Sequence, residues 1–167
     1  MSPSSSCEAA AVNERKPIYR RAWFLLAIAA VLVITLLRVL VWANGPDGAY
    51  TLDARRFMNN RELFERAAAE LLASGETEIE LPGVKAVSVW GEGGGTVVEF
   101  TTGGFGLAPS SSYHGVYYSA DGAPAAFQNT DVPLGPSREG WIWHGEGDNY
   151  GETRHISGSW YTFYASF

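Results

Sequence analysis

The sequence contains almost no cysteine: Cys7 is the only one in 167 residues. A single thiol can form no disulfide within the chain and cannot build a zinc site of several cysteines. No apolar segment precedes Cys7, so it is not placed as the lipidated cysteine of a lipoprotein would be. The folded part must therefore be stabilised by packing, for which about 120 residues suffice.

Basic residues are scarce after residue 43, where seven Lys or Arg stand against sixteen Asp or Glu and give a net charge of −9. Phosphate-binding surfaces need the opposite sign, because basic side chains displace the counterions of the phosphates. This composition argues against binding to nucleic acid or to an anionic membrane surface. It is compatible with cations, basic partners or simple solubility.

One long stretch of the sequence is apolar. Residues 22–37 carry no charge, and the apolar character resumes after Arg38 and continues to Ala43. A helix of about 22 residues at 1.5 Å per residue crosses a hydrocarbon core of ~30 Å. Trp23 and Trp42 mark the two ends, where indoles favour the membrane interface. We therefore predict a transmembrane helix over residues 22–43, with Arg38 reaching toward the nearer interface.

The flanks of this helix predict its orientation. Residues 1–21, expected to be a cytoplasmic tail, end in a basic cluster, whereas residues 43–53 carry no Lys or Arg. The positive-inside rule then places the N-terminus in the cytoplasm and the rest outside the plasma membrane. A signal peptide cleaved before Asn44 is the alternative. The basic cluster consists of Arg15, Lys16, Arg20 and Arg21.

An extracytoplasmic domain is predicted over residues 51–167, after a turn-rich linker at 44–50. It starts with one amphipathic helix, capped by Thr51 or Asp53 and ended by Gly75. One face of this helix is apolar and needs a partner to pack on. That face carries Phe57, Phe64, Ala67, Ala68 and Leu71.

Everything after Gly75 has the composition of short strands separated by Gly, Pro and Ser clusters. A helix followed by many strands predicts an α+β domain with an antiparallel sheet and the helix across one face. The strand at 159–166 is apolar on both faces, which favours a central position. The predicted strands are 77–81, 84–90, 96–101, 113–119, 140–144, 153–157 and 159–166.

The stretch KAVSVWGEGGGTVVEF, residues 85–100, superficially resembles a phosphate-binding loop. Such loops open a helix, whose free amides hold the phosphates. Here the glycines precede a second strand, and the spacing fits neither GxGxxG nor GxxxxGK[ST]. We therefore predict a hairpin turn and no nucleotide or other cofactor.

Potential metal ligands crowd the stretch HGEGDNYGETRH, residues 144–155. Carboxylate and amide oxygens there could surround calcium, and the two histidines could contribute to a zinc site. A polar hairpin loop is the competing interpretation, because the spacing matches no EF-hand. The candidate ligands are His144, Glu146, Asp148 and His155.

Aromatic side chains alternate on two of the predicted strands. Trp141 and Trp143 share one strand face, and Tyr113 and Tyr117 share another. Exposed, these rings could bind a glycan or a peptide; buried, they would be core under the helix.

Serines and a histidine adjoin in the stretch 103–119, predicted to be an irregular loop. Ser110, Ser111 and Ser112 beside His114 could suggest nucleophilic catalysis. Neighbours in sequence do not make a catalytic triad, and no G-x-S-x-G elbow is present. The serines are more typical of turn hydrogen bonding.

Residues 76–167 carry four strings that together resemble a family of small membrane-anchored proteins of unknown function from gut-type Firmicutes. The strings are LPGVKAVSVW, VEFTTGGFGLAPSSSYHGVYYS, PAAFQNTDVPL and GWIWHGEGDNYGETRHISGSWYTFYASF. The resemblance implies one anchor and one exported domain, and it implies no catalytic residue.

Three functions are compatible with the sequence. The first is a membrane-anchored, non-enzymatic module that binds an envelope protein through its sheet or the 103–119 stretch. The second is an envelope hydrolase or metal-binding enzyme using the 144–155 loop or His114. The third is a glycan-binding module using Trp141 and Trp143.

Overall fold

A computed structural model describes residues 18–75, 80–91, 95–107, 110–129 and 132–167. The chain divides into two compact units, and the boundary between them in the sequence falls between Arg38 and Val39. The second unit holds two helices and a seven-stranded antiparallel sheet, so the predicted α+β class is confirmed.

The first helix, α1, is Ile18–Asn44. Its segment Ala22–Ala43 has a mean hydropathy of 2.9, and no side chain in it is buried. The hydroxyl of Thr35 donates to the carbonyl of Val31 at 2.8 Å, so the polar side chain inside the run is satisfied within the helix. By length and composition α1 could be a membrane anchor or a signal helix.

Two further helices follow where one was predicted. Helix α2 is Pro46–Asn59 and helix α3 is Arg61–Ser74. The stretch 44–50, expected to be a linker, instead supplies the first turn of α2, because Pro46 at the first helical position has the φ angle that a helix needs. Helix α3 ends at Gly75 with φ 71°, as predicted.

The break between α2 and α3 is made by Asn60. Its backbone N–H donates to the carbonyls of Arg56 and Phe57, and its side-chain amide donates to the carbonyl of Arg56 at 2.9 Å. These bonds satisfy the end of α2 and let α3 start in a new direction. The predicted apolar face is kept across the break, and its five residues are all buried.

The sheet has the order β1-β2-β3-β7-β6-β5-β4, with every neighbouring pair antiparallel. Strand β7 is fourth of seven, so its predicted central position is confirmed. The strands are β1 Ala86–Trp90, β2 Val97–Leu107, β3 Ser110–Ser119, β4 Gly135–Pro136, β5 Trp141–His144, β6 Tyr150–Ser157 and β7 Trp160–Ser166.

Strands β2, β3 and β6 are longer than predicted. The stretch 103–119, expected to be an irregular loop, is instead mostly the paired outer half of the β2–β3 hairpin. The polar loop predicted at 144–155 shortens to 145–149. Trp90 pairs with Val97, as a hairpin turn between β1 and β2 requires. Of the strand predicted at 77–81, residues 77–79 lie outside the described residues, and 80–81 are not in a strand.

Each face of the sheet is covered by a different layer. Helices α2 and α3 cover one face, here called the helix face, where the Trp160 ring lies 4.6 Å from that of Phe57 and 6.0 Å from that of Phe100. The segment between β3 and β4 covers the other, here called the loop face, where Phe127 packs on Phe163. The domain therefore has a core on both sides of one sheet.

Arg154 on β6 fastens the start of α2 to the sheet. Its guanidinium lies 4.0 Å from the centre of the Tyr50 ring and forms ion pairs with Asp47, Glu139 and Glu152. The hydroxyl of Tyr50 donates to the carbonyl of Glu152 at 3.1 Å. Cation–π and ionic contacts thus hold α2 on the helix face.

Candidate functional site

The candidate site lies around a β-bulge in β2, between Thr101 and Gly103. Thr101 pairs with Gly115 and Gly103 pairs with His114, so Thr102 is an extra residue. A Cβ on Gly103 would lie 2.2 Å from Nε2 of His114, because the imidazole occupies the space of the missing side chain. A glycine after the bulge is what allows this packing.

The bulge directs Thr102 onto a buried carboxylate of α2. Asp53, 1% exposed, accepts hydrogen bonds at 2.6 Å from the hydroxyl of Thr102 and from Nδ1 of His114. Arg56, one turn further along α2, lies 3.2 Å from the same carboxylate. A buried charge with two hydrogen bonds and a cationic neighbour is well compensated.

An aspartate on Nδ1 of a histidine is also the orienting pair of nucleophilic hydrolases. Such a mechanism needs a hydroxyl or thiol within hydrogen-bond distance of the free Nε2. Among the described residues none lies there, and Nε2 of His114 faces Gly103 instead. The Asp53–His114 pair therefore ties α2 to the bulge without presenting a nucleophile.

Beyond the bulge, β2 continues past the end of β1. The outermost pair between β1 and β2 is Ala86 with Thr101. Just before β1, the backbone N–H of Lys85 donates to the carbonyl of Thr101 at 2.7 Å. The chain before Lys85 turns away, since Val84 N–H bonds the carbonyl of Leu81. Residues 103–107 of β2 therefore have β3 on one side and no strand from the described residues on the other.

The hydrogen-bond pattern shows which groups face this open edge. Ser111 and Phe167 exchange two backbone bonds of 2.8 Å, so Ser111 faces away from β2. Because backbone direction alternates along an antiparallel pair, Gly106, opposite Ser111, also faces outward, and so does Gly104. Their N–H and C=O groups have no backbone partner among the described residues.

A cleft of about 280 Å³ lies along this open edge. Phe105 and Tyr113 on it are 61% and 39% exposed, and among the described residues after α1 no other Phe, Tyr or Trp side chain is as exposed. Its walls are mainly apolar, and the described residues that form them include one cation and no acidic residue. The side chains and backbone that matter below are Lys85, Ala86, Gly104, Phe105, Gly106 and Tyr113.

A second buried carboxylate lies on the loop face. Glu99 is 2% exposed, and burial raises its pKa from the usual 4.5 to about 7. The Trp90 indole, the Gln128 N–H and the Thr101 hydroxyl oppose this rise, the last from 3.4 Å. The indole nitrogen of Trp90 has no partner at normal hydrogen-bond geometry, so it acts on Glu99 only as a nearby dipole.

Three of the four predicted aromatic site residues lie in or against the loop-face core. Trp143 and Tyr117 are 4% and 2% exposed and belong to the loop-face core. Trp141 packs partly buried against the same core. Only Tyr113 is substantially exposed, and its ring stacks on Phe127 at 5.6 Å. The rings do not form a common exposed platform.

The four predicted metal ligands do not converge. His144 lies at the loop end of the β5–β6 hairpin and His155 beyond its other end, with Nε2 2.8 Å from the carbonyl of Gly158. Glu146 and Asp148 are exposed in the loop. In the described part of the chain, no group of three His, Cys, Asp or Glu side chains could hold a metal ion.

Neither buried carboxylate was predicted from the sequence, and the open edge was not predicted either. Asp53 was interpreted as a helix cap, although it lies four residues before Phe57 and hence on the apolar face. Glu99 is a lone charge inside the apolar run Val97–Phe100, which is a pattern that predicts a buried carboxylate. No sequence pattern predicts the open edge, because the edge depends on where the pairing between β1 and β2 stops.

Comparison of the chain with known protein families, curated proteins and solved structures gave no match. The resemblance to the membrane-anchored family of unknown function therefore stays a prediction.

Proposed function

We propose that this chain is a single-pass membrane protein of the cell envelope. Its outer domain binds a protein partner at the β2–β3 hairpin and catalyses no reaction. The observation that carries the proposal is the open edge at Gly104 and Gly106, beside the exposed ring of Phe105. Sheet edges and exposed aromatic side chains are recurrent features of protein-binding surfaces.

Charge supports the orientation. The basic cluster before α1 favours the cytoplasm, and residues 44–167, with a net charge of −9, are suited to the other side. The length and hydropathy of Ala22–Ala43 fit an anchor that is retained.

Burial favours a protein over a glycan as the partner. Glycan sites use exposed aromatic faces, and Trp143 and Tyr117 have none to offer. The exposed aromatic side chains lie instead along the open backbone edge. A polypeptide can use both features together, since it supplies its own N–H and C=O groups.

One crosslinking experiment tests orientation and binding together. A membrane-impermeant, thiol-directed photocrosslinker is added to intact cells that express Cys7→Ser, Ser110→Cys protein. Ser110 is exposed at the outer end of β3, and its replacement leaves the ring of Phe105 in place. We expect the thiol at 110 to be labelled from outside and, after illumination, to crosslink to a discrete partner. The thiol of the natural Cys7, the only one in the unaltered chain, should be labelled only after the cells are permeabilised.

The matched control is Cys7→Ser, Met58→Cys, because Met58 is 55% exposed on α2, away from the open edge. It should be labelled equally and should not give the same crosslinked product. Identical products from both positions would mean that the hairpin is not the binding surface. Labelling of Cys7 before permeabilisation would reverse the orientation.

A further inference from the structure

The open edge of β2 has the geometry of a place for one more strand. Gly104 and Gly106 are two residues apart, so their outward N–H and C=O groups repeat at about 6.8 Å, the two-residue repeat of any extended chain. An extended peptide can pair with all of them at once. The side chains of a ligand do not present donors and acceptors at this regular spacing. Water can bond to the N–H and C=O groups but gives no specificity.

The surroundings of the edge set the direction of such a peptide. Residues 103–107 lie beyond Ala86, the first residue of β1, so an added strand would lie in line with β1. A peptide antiparallel to β2 runs in the direction of β1, from the Leu107 end of the edge toward Lys85. Its C-terminal end therefore arrives at Lys85.

Charge agrees with this direction. Among the described residues, Lys85 is the one cation that lines the cleft, no acidic residue lines it, and Lys85 forms no ion pair. In a domain with a net charge of −9, a lysine at the end of an open strand edge complements a carboxylate. The carboxylate that every peptide has at that end is its C-terminus.

The cleft accounts for the side chain next to that carboxylate. Its volume of about 280 Å³ has room for an apolar side chain. Tyr113 provides apolar contact area on the face that it shares with Gly104, and Phe105 provides it on the opposite face of the same edge. The edge residues Gly104 and Gly106 have no side chain to block the approach of a second backbone.

We infer that the open edge captures the C-terminal end of an extended polypeptide. The peptide adds to β2 as an antiparallel strand, an apolar side chain enters the cleft, and its terminal carboxylate lies at Lys85. This inference rests on the proposed binding function and names the class of ligand: protein C-termini with an apolar final segment.

The test uses full-length protein in lipid nanodiscs. The probe is a synthetic library of peptides of about eight residues with randomised final positions, prepared once as free acids and once as C-terminal amides. We expect free acids with apolar final side chains to be selected, and each selected sequence to bind about tenfold more weakly as the amide. The substitution Lys85→Gln should remove this preference for the acid, and Lys85→Arg should retain it.

A backbone variant tests strand addition separately. Gly106→Pro removes an outward N–H that makes no bond to β3, so the ladder within the domain stays intact. We expect it to reduce peptide binding at least tenfold while the melting temperature stays near that of the unaltered protein. Gly95→Ala, at a position where a Cβ meets no atom within 4 Å, is the control that should bind normally.

Three outcomes would overturn the inference: no library member binding below about 1 mM, equal binding of acids and amides, or no effect of Lys85→Gln. Self-association of the protein that Gly106→Pro abolishes would assign the edge to a second copy instead. If the Ser110→Cys crosslink persists with Lys85→Gln and in excess peptide, a partner binds here but not by its C-terminus. Absence of any crosslink from Ser110→Cys protein that keeps Lys85, without added peptide, would instead remove the proposed function itself.

Discussion

The two faces of the sheet each bury one carboxylate, and they hold it in different ways. Asp53 on the helix face has Arg56, His114 and Thr102 around it. Glu99 on the loop face has no cation beside it among the described residues, and burial raises its pKa to about 7. Equal burial is thus compensated by a cation and two short hydrogen bonds on the helix face but by no such cation on the loop face, and the difference comes from the partners on each covering layer.

This difference follows from what covers each face. A helix brings charged side chains at regular spacing, so α2 delivers both Asp53 and Arg56 to the bulge. The segment between β3 and β4 covers the other face with small and aromatic side chains and offers Glu99 mainly a backbone N–H. The helix face is therefore expected to depend on its charge, and the loop face to tolerate losing it.

The largest expected effect comes from Asp53→Ala. The substitution leaves the imidazole of His114 and the hydroxyl of Thr102 without their acceptor beneath α2. We expect a loss of about 3–5 kcal/mol in the free energy of unfolding, measured by urea denaturation. Asp47→Ala, at an aspartate that is 78% exposed, is the control and should cost less than 1 kcal/mol or so. Equal losses would mean that the cluster does not hold the helix layer.

The next effect is a pH dependence that Glu99→Gln should remove. Folded Glu99 binds its proton more tightly than the unfolded chain, with a pKa of about 7 against 4.5. The free energy of unfolding should therefore fall as pH rises between these values, by about 3 kcal/mol, and level off above 7. Glu99→Gln should match the unaltered protein near pH 4.5 and exceed its stability at pH 8.

The measurement is urea denaturation of both proteins at several pH values. Their difference isolates the contribution of Glu99, because every other titratable group is the same in both proteins. Glu62→Gln, at an exposed position on α3, should leave the slope unchanged. A Glu99→Gln protein as pH-dependent as the unaltered one would show that Glu99 is ionised in both states.

The smallest of the three effects is expected from Gly103→Ala. The new Cβ would lie 2.2 Å from Nε2 of His114, so the imidazole must shift on Asp53. We expect a cost of about 1–3 kcal/mol. Gly95→Ala should be close to neutral because its Cβ meets nothing within 4 Å. If both substitutions cost the same, the ring packing at the bulge is not tight.

Much of the fold could be predicted because its elements follow from local patterns. The apolar run predicted α1, and the apolar residues from Phe57 to Leu71 predicted the buried helical face. Apolar residues on both faces of β7 predicted its central position in the sheet. The break at Asn60 and the start at Pro46 were missed, since both depend on backbone bonds that no periodicity shows.

Less of the candidate site could be predicted, because it is made by contacts between distant residues. Asp53 and His114 are 61 positions apart. The open edge exists because β2 extends beyond its pairing with β1, and this depends on strand lengths and register. The stretch 103–119 was singled out as a binding region, yet as a loop and not as paired strands.

The central position of β7 also bears on the order of assembly. Strands β1–β3 form one three-stranded group and β4–β6 another, and in the sheet only β7 adjoins both. Neither group can be joined to the other until residues 160–166, which come last of the seven strands in chain order, have left the ribosome. Such a nascent domain keeps two incomplete sheets with unpaired edges until late, and it would benefit from a chaperone that holds β3 and β6 apart from other chains.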